Sequence, residues 1–491
     1  MDGRQLFEDY GPVGGFDEMF GDAVRSDYLA VERVFSQLTA DEIRLRAESL
    51  ASGYLEQGVT FAVGGEERPF PLDIVPRIIE STAWRNVDAG VRQRVRALEA
   101  FLGDVYGKGQ VFADGVVPRE TVESSPYYVP HFAGVELPNG VRCHVSGIDL
   151  VRGDDGQFRV LEDNVRVPSG VSYVLTNRRA LSAALPEMFA EYRIRPITQY
   201  SHNLLLALRA AAPQGVANPN VVVLTPGVYN SAYFEHTLLA RTMGVELVEG
   251  RDLVVRNKHV LMRTTRGLRP VHVIYRRIDD DFLDPEAFRA DSVLGVPGLI
   301  ASAVSGHVTI ANGVGNGVAD DKLIYTYVPD LIRYYLAEEP ILPNVDTWRL
   351  GEPEQQAEVL DRLHELVVKP VDGSGGKGIV IGPAATAKEL DALRAAVVQN
   401  PRAWIAQPLV ALSTVPTLVA DGVRPRHVDL RPFAVNDGDD VYVLPGGLTR
   451  VALPEGEMIV NSSRGGGSKD TWVLADPYVA PDPKDQVQAQ S

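Results

Sequence analysis

Apolar residues recur at helical spacing through Val31 to Glu56 and Val91 to Tyr106, and alternation takes over further along, so the chain reads as mixed helix and sheet. Ile148 to Val151 and Phe158 to Leu161 alternate around a Gly153 to Gly156 turn and predict a β-hairpin. A Pro168-Ser-Gly turn then leads into a helix with Ser172 as its expected N-cap. Helix Tyr200 to Ala211, strand Val221 to Leu224, a Pro226-Gly227 turn, helix Ser231 to Met243 and strand Val271 to Tyr275 follow in the order of an α/β unit. The last third predicts a helix from Asp321 to Leu336 interrupted at Pro329, a strand ending in Lys369, a glycine-rich turn, a strand from Ile379, and a helix from Thr386 to Val397.

These patterns divide the chain into a mixed helical region (1–135), the hairpin with its helix (136–190), the α/β unit (191–318), a second α/β stretch (319–475) and a tail (476–491). The first region holds no recognisable chemistry. The tail is rich in Pro, Asp and Gln and is expected to be disordered. At 491 residues the chain is too long for one core. A net charge of -17 argues against sequence-independent nucleic-acid binding, which depends on Lys and Arg neutralising phosphates. The single cysteine, Cys143, excludes an internal disulfide and a multi-cysteine zinc site, and a cytoplasmic location is expected. No signal-peptide pattern and no long apolar run is evident, so no membrane span is expected.

Two segments carry candidate chemistry. In Leu366-Val-Val-Lys-Pro-Val-Asp-Gly-Ser-Gly-Gly-Lys-Gly378, Gly373, Gly375 and Gly378 satisfy the dinucleotide fingerprint, but a strand follows where that motif needs a helix. The P-loop pattern also fails, because Val371 stands where its first glycine belongs. What is left is a glycine hairpin: a flap whose backbone at Gly373, Ser374, Gly375 and Gly376 can approach phosphates while Lys369 reaches them from the strand, or else a plain turn.

The second segment is the hairpin at Asp149 to Asn164. Glu162 and Asn164 leave one face of their strand, and Asp149 on the partner strand can lie near them. Two carboxylates and an amide oxygen without His or Cys suit Mg²⁺ better than a softer metal. Arg166, Ser169 and Arg178 follow closely and are candidates for phosphate or carboxylate contacts, with helix-surface solvation the alternative for Arg178. Tyr229, Asn230 and Arg276 stand at strand ends of the α/β unit and are substrate candidates, or packing residues. Asn312-Gly-Val-Gly-Asn-Gly317 reads as a seam between domains, and Arg464 to Lys469 as an anion-binding nest or an ordinary loop.

Taken together, "GIDLVRGDDGQFRVLEDNVRVPSGVSY", "GVADDKLIYTYVPDLI", "VVKPVDGSGGKGIVIGP", "DLRPF" and "NSSRGGGSKDTW" resemble the circularly permuted ATP-grasp proteins, in their bacterial branch distantly similar to glutathionylspermidine synthetase. The likeness spans roughly residues 15 to 475. It implies a permuted ATP-grasp fold with an α/β pre-ATP-grasp unit and a lid. Lys322 and Lys369 match the lysines that hold the nucleotide phosphates, Gln407 the residue that meets adenine, Arg431 the phosphate-contacting arginine, and Asp149, Glu162 and Asn164 the magnesium ligands. The early position of those ligands is the mark of permutation.

One departure is Gly147, where the synthetase carries an arginine; Arg166 or Arg178 is the expected replacement. Cys143 also lacks the context of that enzyme's amidase domain. The resemblance implies ATP and Mg²⁺ as cofactors and a carboxylate–amine ligase working through an acyl phosphate, on small-molecule or peptide substrates. Transglutaminase-like and helical companion proteins are implied as partners. A phosphotransferase, a non-catalytic nucleotide-binding protein and, through the accidental glycine fingerprint, a dehydrogenase are the other readings.

Overall fold

A computed structural model describes residues 6–8, 10–11, 13–63, 66–372, 378–457, 460 and 466–476. The predicted hairpin forms from Val145–Arg152 and Phe158–Asn164, with Asp149 directly opposite Glu162 and a register shift just after Asp149. It joins Phe433–Asn436 and Val441–Val443 in one antiparallel sheet, so the candidate carboxylates sit beside strands from the far end of the chain. The α/β unit is a four-stranded parallel sheet in the order Thr309–Ala311, Val273–Arg276, Val221–Leu224, Glu246–Val248. The lid sheet is antiparallel and runs Trp348–Arg349, Trp404–Pro408, Leu366–Pro370, Val380–Ile381.

The N-terminal region is woven into the rest rather than set apart. Its strand Leu72–Ile79 pairs in parallel with Gly467–Val473. Its helix Ser81–Val105 lays Trp84, Val87, Val91 and Val95 in one core with Ile148, Leu150, Phe158 and Val160 of the hairpin. Beneath that sheet Arg94 makes a bidentate pair with Asp163 at 2.6 and 2.8 Å, both side chains fully buried. Asp163 points away from Glu162 and Asn164, as strand alternation requires. The pair therefore anchors the strand whose other face carries the candidate ligands.

Several boundaries differ from the sequence reading. The Val31 to Glu56 pattern is two helices, Leu29–Ser36 and Ala40–Glu56, because Thr39 starts the second with a capping box to Glu42. The Val91 to Tyr106 pattern is the end of a 25-residue helix beginning at Ser81. Asp321 to Leu336 splits into Lys322–Tyr325 and Val328–Leu336, with Pro329 in the first turn of the second, where its missing N–H costs nothing. Ser172 is not an N-cap. Gly170, at φ +116°, takes that position, and Ser172 is buried with its hydroxyl donating to Glu235. Thr386 does cap its helix, through a capping box with Glu389.

Among the described residues no helix is long and apolar enough to cross a membrane. The flap residues Gly373, Ser374, Gly375 and Gly376, together with Arg464 and the 477–491 tail, lie outside the described residues.

Candidate active site between hairpin and lid

The two candidate lysines reach one place by separate devices. Asp321 caps the short helix Lys322–Tyr325, accepting the Leu323 N–H at 2.9 Å, and the Lys322 N–H donates to the Val371 carbonyl at 3.2 Å. Lys322 is thereby pinned beside the end of the strand that carries Lys369. Asp320 accepts from the backbone N–H groups of Val165 and Arg166, which ties the same turn to the end of the hairpin. As a result Lys322 Nζ stands 3.5 Å from Glu162 Oε2. The Lys369 side chain is buried and donates to Gln407 Oε1 at 2.5 Å, while Gln407 Nε2 donates to Thr347 at 2.9 Å.

From the other side Arg431 Nη1 approaches Asp149 Oδ2 at 3.3 Å, with Asp429 holding the guanidinium through Nη2 at 2.9 Å and Nε at 3.1 Å. Asn164 lies on the Glu162 face, opposite Gly147. A Cβ at Gly147 would stand 3.2 Å from Pro168, so the backbone is packed where the synthetase carries its arginine.

The electrostatics are strained. Burial pushes Asp149 well above the usual carboxylate range; Arg431 pulls it down, but Glu162 and Asp429 add to the rise. Glu162 is also penalised by burial, yet Lys322, Lys369 and Arg431 together hold it below its ordinary value. Burial lowers Lys369 to about 8, with Glu162 opposing the shift and Lys322 adding to it. Asp149 Oδ2 is buried and receives no hydrogen bond. Two carboxylates close enough to disturb each other, one with an oxygen that accepts no hydrogen bond and only faces Arg431, and a neighbouring amide oxygen fit a hard divalent cation. No group of three His, Cys, Asp or Glu side chains among the described residues could hold a metal, so the set of Asp149, Glu162 and Asn164 includes an amide.

Four sequence-based assignments are corrected. Arg178 does not face the carboxylates: its Nε pairs with Asp470 at 2.8 Å and its Nη2 donates to the Thr471 carbonyl at 2.7 Å, locking its helix to the C-terminal strand. Arg276 is fully buried, its guanidinium spent on the carbonyls of Asn312 and Ile278, at 2.9 Å each, and on Asp280. It is an architectural residue. Arg166 pairs with Asp320 at 2.7 Å and stacks 4.2 Å from the Tyr127 ring centroid, so it braces the hairpin end and is not the missing arginine. Lys469 likewise belongs to no anion nest, since it is buried against Asp73 and donates to the carbonyls of Val75 and Pro416.

Gln407, the adenine candidate, orients Lys369. Ser169 and Tyr229 are exposed, Tyr229 completely, and Asn230 spends its side-chain oxygen on the Ala232 N–H at 2.9 Å. In the Asn312 to Gly317 segment the Asn312 side chain bonds both backbone groups of Val145 and the Val165 carbonyl at 2.7 to 2.8 Å.

Sequence reasoning missed several residues. Arg450 sits in the field of Arg431, Asp429 and Asp149, and burial and then Arg431 lower it to about 10. Glu235 pairs at 2.9 Å with Arg277, a residue of the strand end that the sequence did mark, and the two hold the 168–172 loop through the Gly170 N–H and the Pro168 carbonyl. Tyr127 donates to the Asp372 carbonyl at 2.9 Å, at the base of the flap. None lies in a motif; only the fold reveals them.

A family model, circularly permuted ATP-grasp type 2, matches residues 76–452. The chain belongs to the circularly permuted ATP-grasp family. Membership implies ATP as the nucleotide. The chain is 58% identical to an uncharacterised protein of Mycobacterium leprae over 94% of its own length and 82% of the relative's. It is 50% identical to an uncharacterised Synechocystis protein over 95% and 98%. A Frankia casuarinae protein that carries a glutamate–cysteine ligase name is 46% identical over 96% of this chain, which spans only 55% of that longer protein. In fold the chain is similar to a glutathione synthetase-like effector from Globodera pallida in its apo form, with a TM-score of 0.58 at 11% identity over 89% of this chain and 98% of that one.

Proposed function

We propose that this ATP-grasp protein is an ATP- and Mg²⁺-dependent carboxylate–amine ligase. The observation that carries the reading is the convergence of Lys322 and Lys369 from the lid side with Asp149 and Glu162 from the hairpin, Lys322 and Glu162 being 3.5 Å apart. Asp149, Glu162 and Asn164 would hold the metal, which when bound neutralises phosphate charge and aligns the γ-phosphoryl group. Lys322 and Lys369 would bind phosphate oxygens, and Gln407 fixes the direction in which the Lys369 ammonium points. Arg431, steadied by Asp429, would face the negative charge that builds up during transfer.

In the proposed reaction a substrate carboxylate oxygen bonds to the γ-phosphorus as the bond to ADP breaks. An amine then attacks the acyl carbon, phosphate leaves, and the amine gives up a proton as the amide forms. No nucleophilic side chain of the protein is needed; catalysis rests on positioning and charge. The proposal extends to small-molecule or peptide substrates met in the neighbourhood of Ser169, Tyr229 and Asn230. It also extends to a cytoplasmic place of action, and to transglutaminase-like and helical companion proteins.

The test is ADP release by the purified protein with Mg²⁺, ATP and a panel of amino acids, small peptides and amines, followed by mass analysis. Expected is ADP release that needs both a carboxylate and an amine, and a product equal to their summed mass less one water. A stable phosphorylated product, or nucleotide binding with no ADP formed across the panel, would overturn it.

A further inference from the structure

The chain is strongly acidic, with a net charge of -17, yet residues 253 to 272 contain Arg256, Lys258, Arg263, Arg266 and Arg269 and no Asp or Glu. This stretch folds as a three-stranded antiparallel sheet, Leu253–Arg256, His259–Thr264 and Gly267–Val271. One face is architectural: Leu253, Val260, Met262 and Val271 are buried in the core shared with the parallel sheet.

The other face is open to solvent. The register aligns Val254, Leu261 and Pro270 across the three strands, Arg256 beside His259, and Leu268 beside Arg263. Arg256, His259, Arg263, Arg266 and Pro270 are exposed and Leu268 is 37% exposed. Of the five cations only Arg269 has an ion pair among the described residues, with Glu246 at 2.7 Å. The strand Gly267–Val271 continues through His272 into Val273–Arg276, so the Thr264 to Gly267 turn lies on the N-terminal side of that parallel strand, away from the end that carries Arg277.

A solvated face has no need to gather every charge of one sign in a chain of the opposite sign. Such a concentration raises the local density of acidic partners and steers their approach. Nucleic acid fits poorly, since residues 253 to 272 contain no Phe, Tyr or Trp on which a base could stack and the rest of the chain repels phosphate. The central apolar row is what a protein partner covers. A protein neighbour also agrees with the longer Frankia relative, in which this chain's counterpart occupies 55% of the polypeptide.

We propose that the outward face of the 253–271 sheet is the docking surface for an acidic protein segment, whose carboxylates meet Arg256, Arg263 and Arg266 and whose apolar side chains cover Leu261 and Leu268. The test is fluorescence anisotropy on the full chain with a labelled peptide of glutamates interrupted by leucines, the same peptide with lysine for glutamate, and a duplex oligonucleotide. Expected is binding of the glutamate peptide alone, weakening with salt, and reduced at least about tenfold by Arg256→Glu/Arg263→Glu/Arg266→Glu. The milder Arg263→Gln/Arg266→Gln and Leu268→Ser should each weaken it less and keep the wild-type melting temperature. Equal binding by wild type and the charge-reversed protein, oligonucleotide binding as tight as peptide binding, or loss of self-association by the variants in sedimentation would each overturn the proposal.

Discussion

The hairpin–lid cleft and the strand ends of the α/β unit both set arginines beside buried carboxylates, but they treat the charges in different ways. Around Arg276 the guanidinium meets the Asn312 and Ile278 carbonyls and Asp280, each at 2.9 Å, and the charge is settled within the fold. In the cleft Lys322, Lys369 and Arg431 crowd one pair of carboxylates and Lys369 is lowered to about 8; Asp149 Oδ2 accepts no hydrogen bond, but neither does Asp280 Oδ1, so the crowding and not the open oxygen sets the cleft apart. Satisfied charges hold architecture together. Charges left in mutual strain are what the proposed nucleotide and metal would relieve.

Substitutions in the two regions should therefore separate activity from stability. The largest effect is expected for Lys369→Ala or Glu162→Gln: ATP consumption should fall at least about a hundredfold, since each removes charge aimed at the transferring group. Melting should be unchanged. A variant that keeps full turnover would erase the distinction between the regions. Arg276→Ala should do the reverse and destabilise the fold by about 3–5 kcal/mol, because Asp280 is left buried without its partner. Calorimetric affinity of the remaining folded protein for MgATP should stay at the wild-type value.

A pH titration sharpens the contrast. The proposed phosphate contact would need the protonated Lys369, whose ammonium is lost as pH rises through about 8 in the free protein. Nucleotide affinity should fall by up to about tenfold per pH unit above that point. Lys369→Arg should remove the inflection; its persistence in that variant would assign it elsewhere. At low pH a proton on Asp149, whose carboxyl is raised by burial, should compete with Mg²⁺, so metal affinity should fall on acidification. The smallest effect is expected for Tyr229→Ala, which touches a fully exposed side chain: within about 0.5 kcal/mol in stability, and any change confined to substrate KM.

Local pattern was enough to place the hairpin, its two strands and its turn. Asp149 opposite Glu162 did not follow from that alone, because the unshifted register would set Asp149 against Leu161, and only the irregularity just after Asp149 brings the two carboxylates together. The meeting of Lys322 with the same carboxylates did not follow from spacing. It came through resemblance to a family, since the link depends on Asp320 reaching back to the Val165 and Arg166 backbone. Arg178 and Arg276 were misread because a sequence displays a charge but not the carbonyls that absorb it; those of Thr471 and Asn312 are distant in the chain. Arg450 and Tyr127 were invisible for the opposite reason, being ordinary residues in ordinary strings placed by long-range pairing. The exchange of Gly170 for Ser172 at a helix start shows a buried acid, Glu235, overriding local capping preference.

The central claim, that lid lysine and hairpin carboxylate serve one bound nucleotide, is tested most directly by a double-mutant cycle on MgATP affinity, using Lys369→Ala, Asp149→Asn and the pair. Groups acting on one ligand should couple by more than about 1 kcal/mol, so that the double variant loses much less than the sum of the single losses. Strict additivity, or full affinity in either single variant, would contradict it.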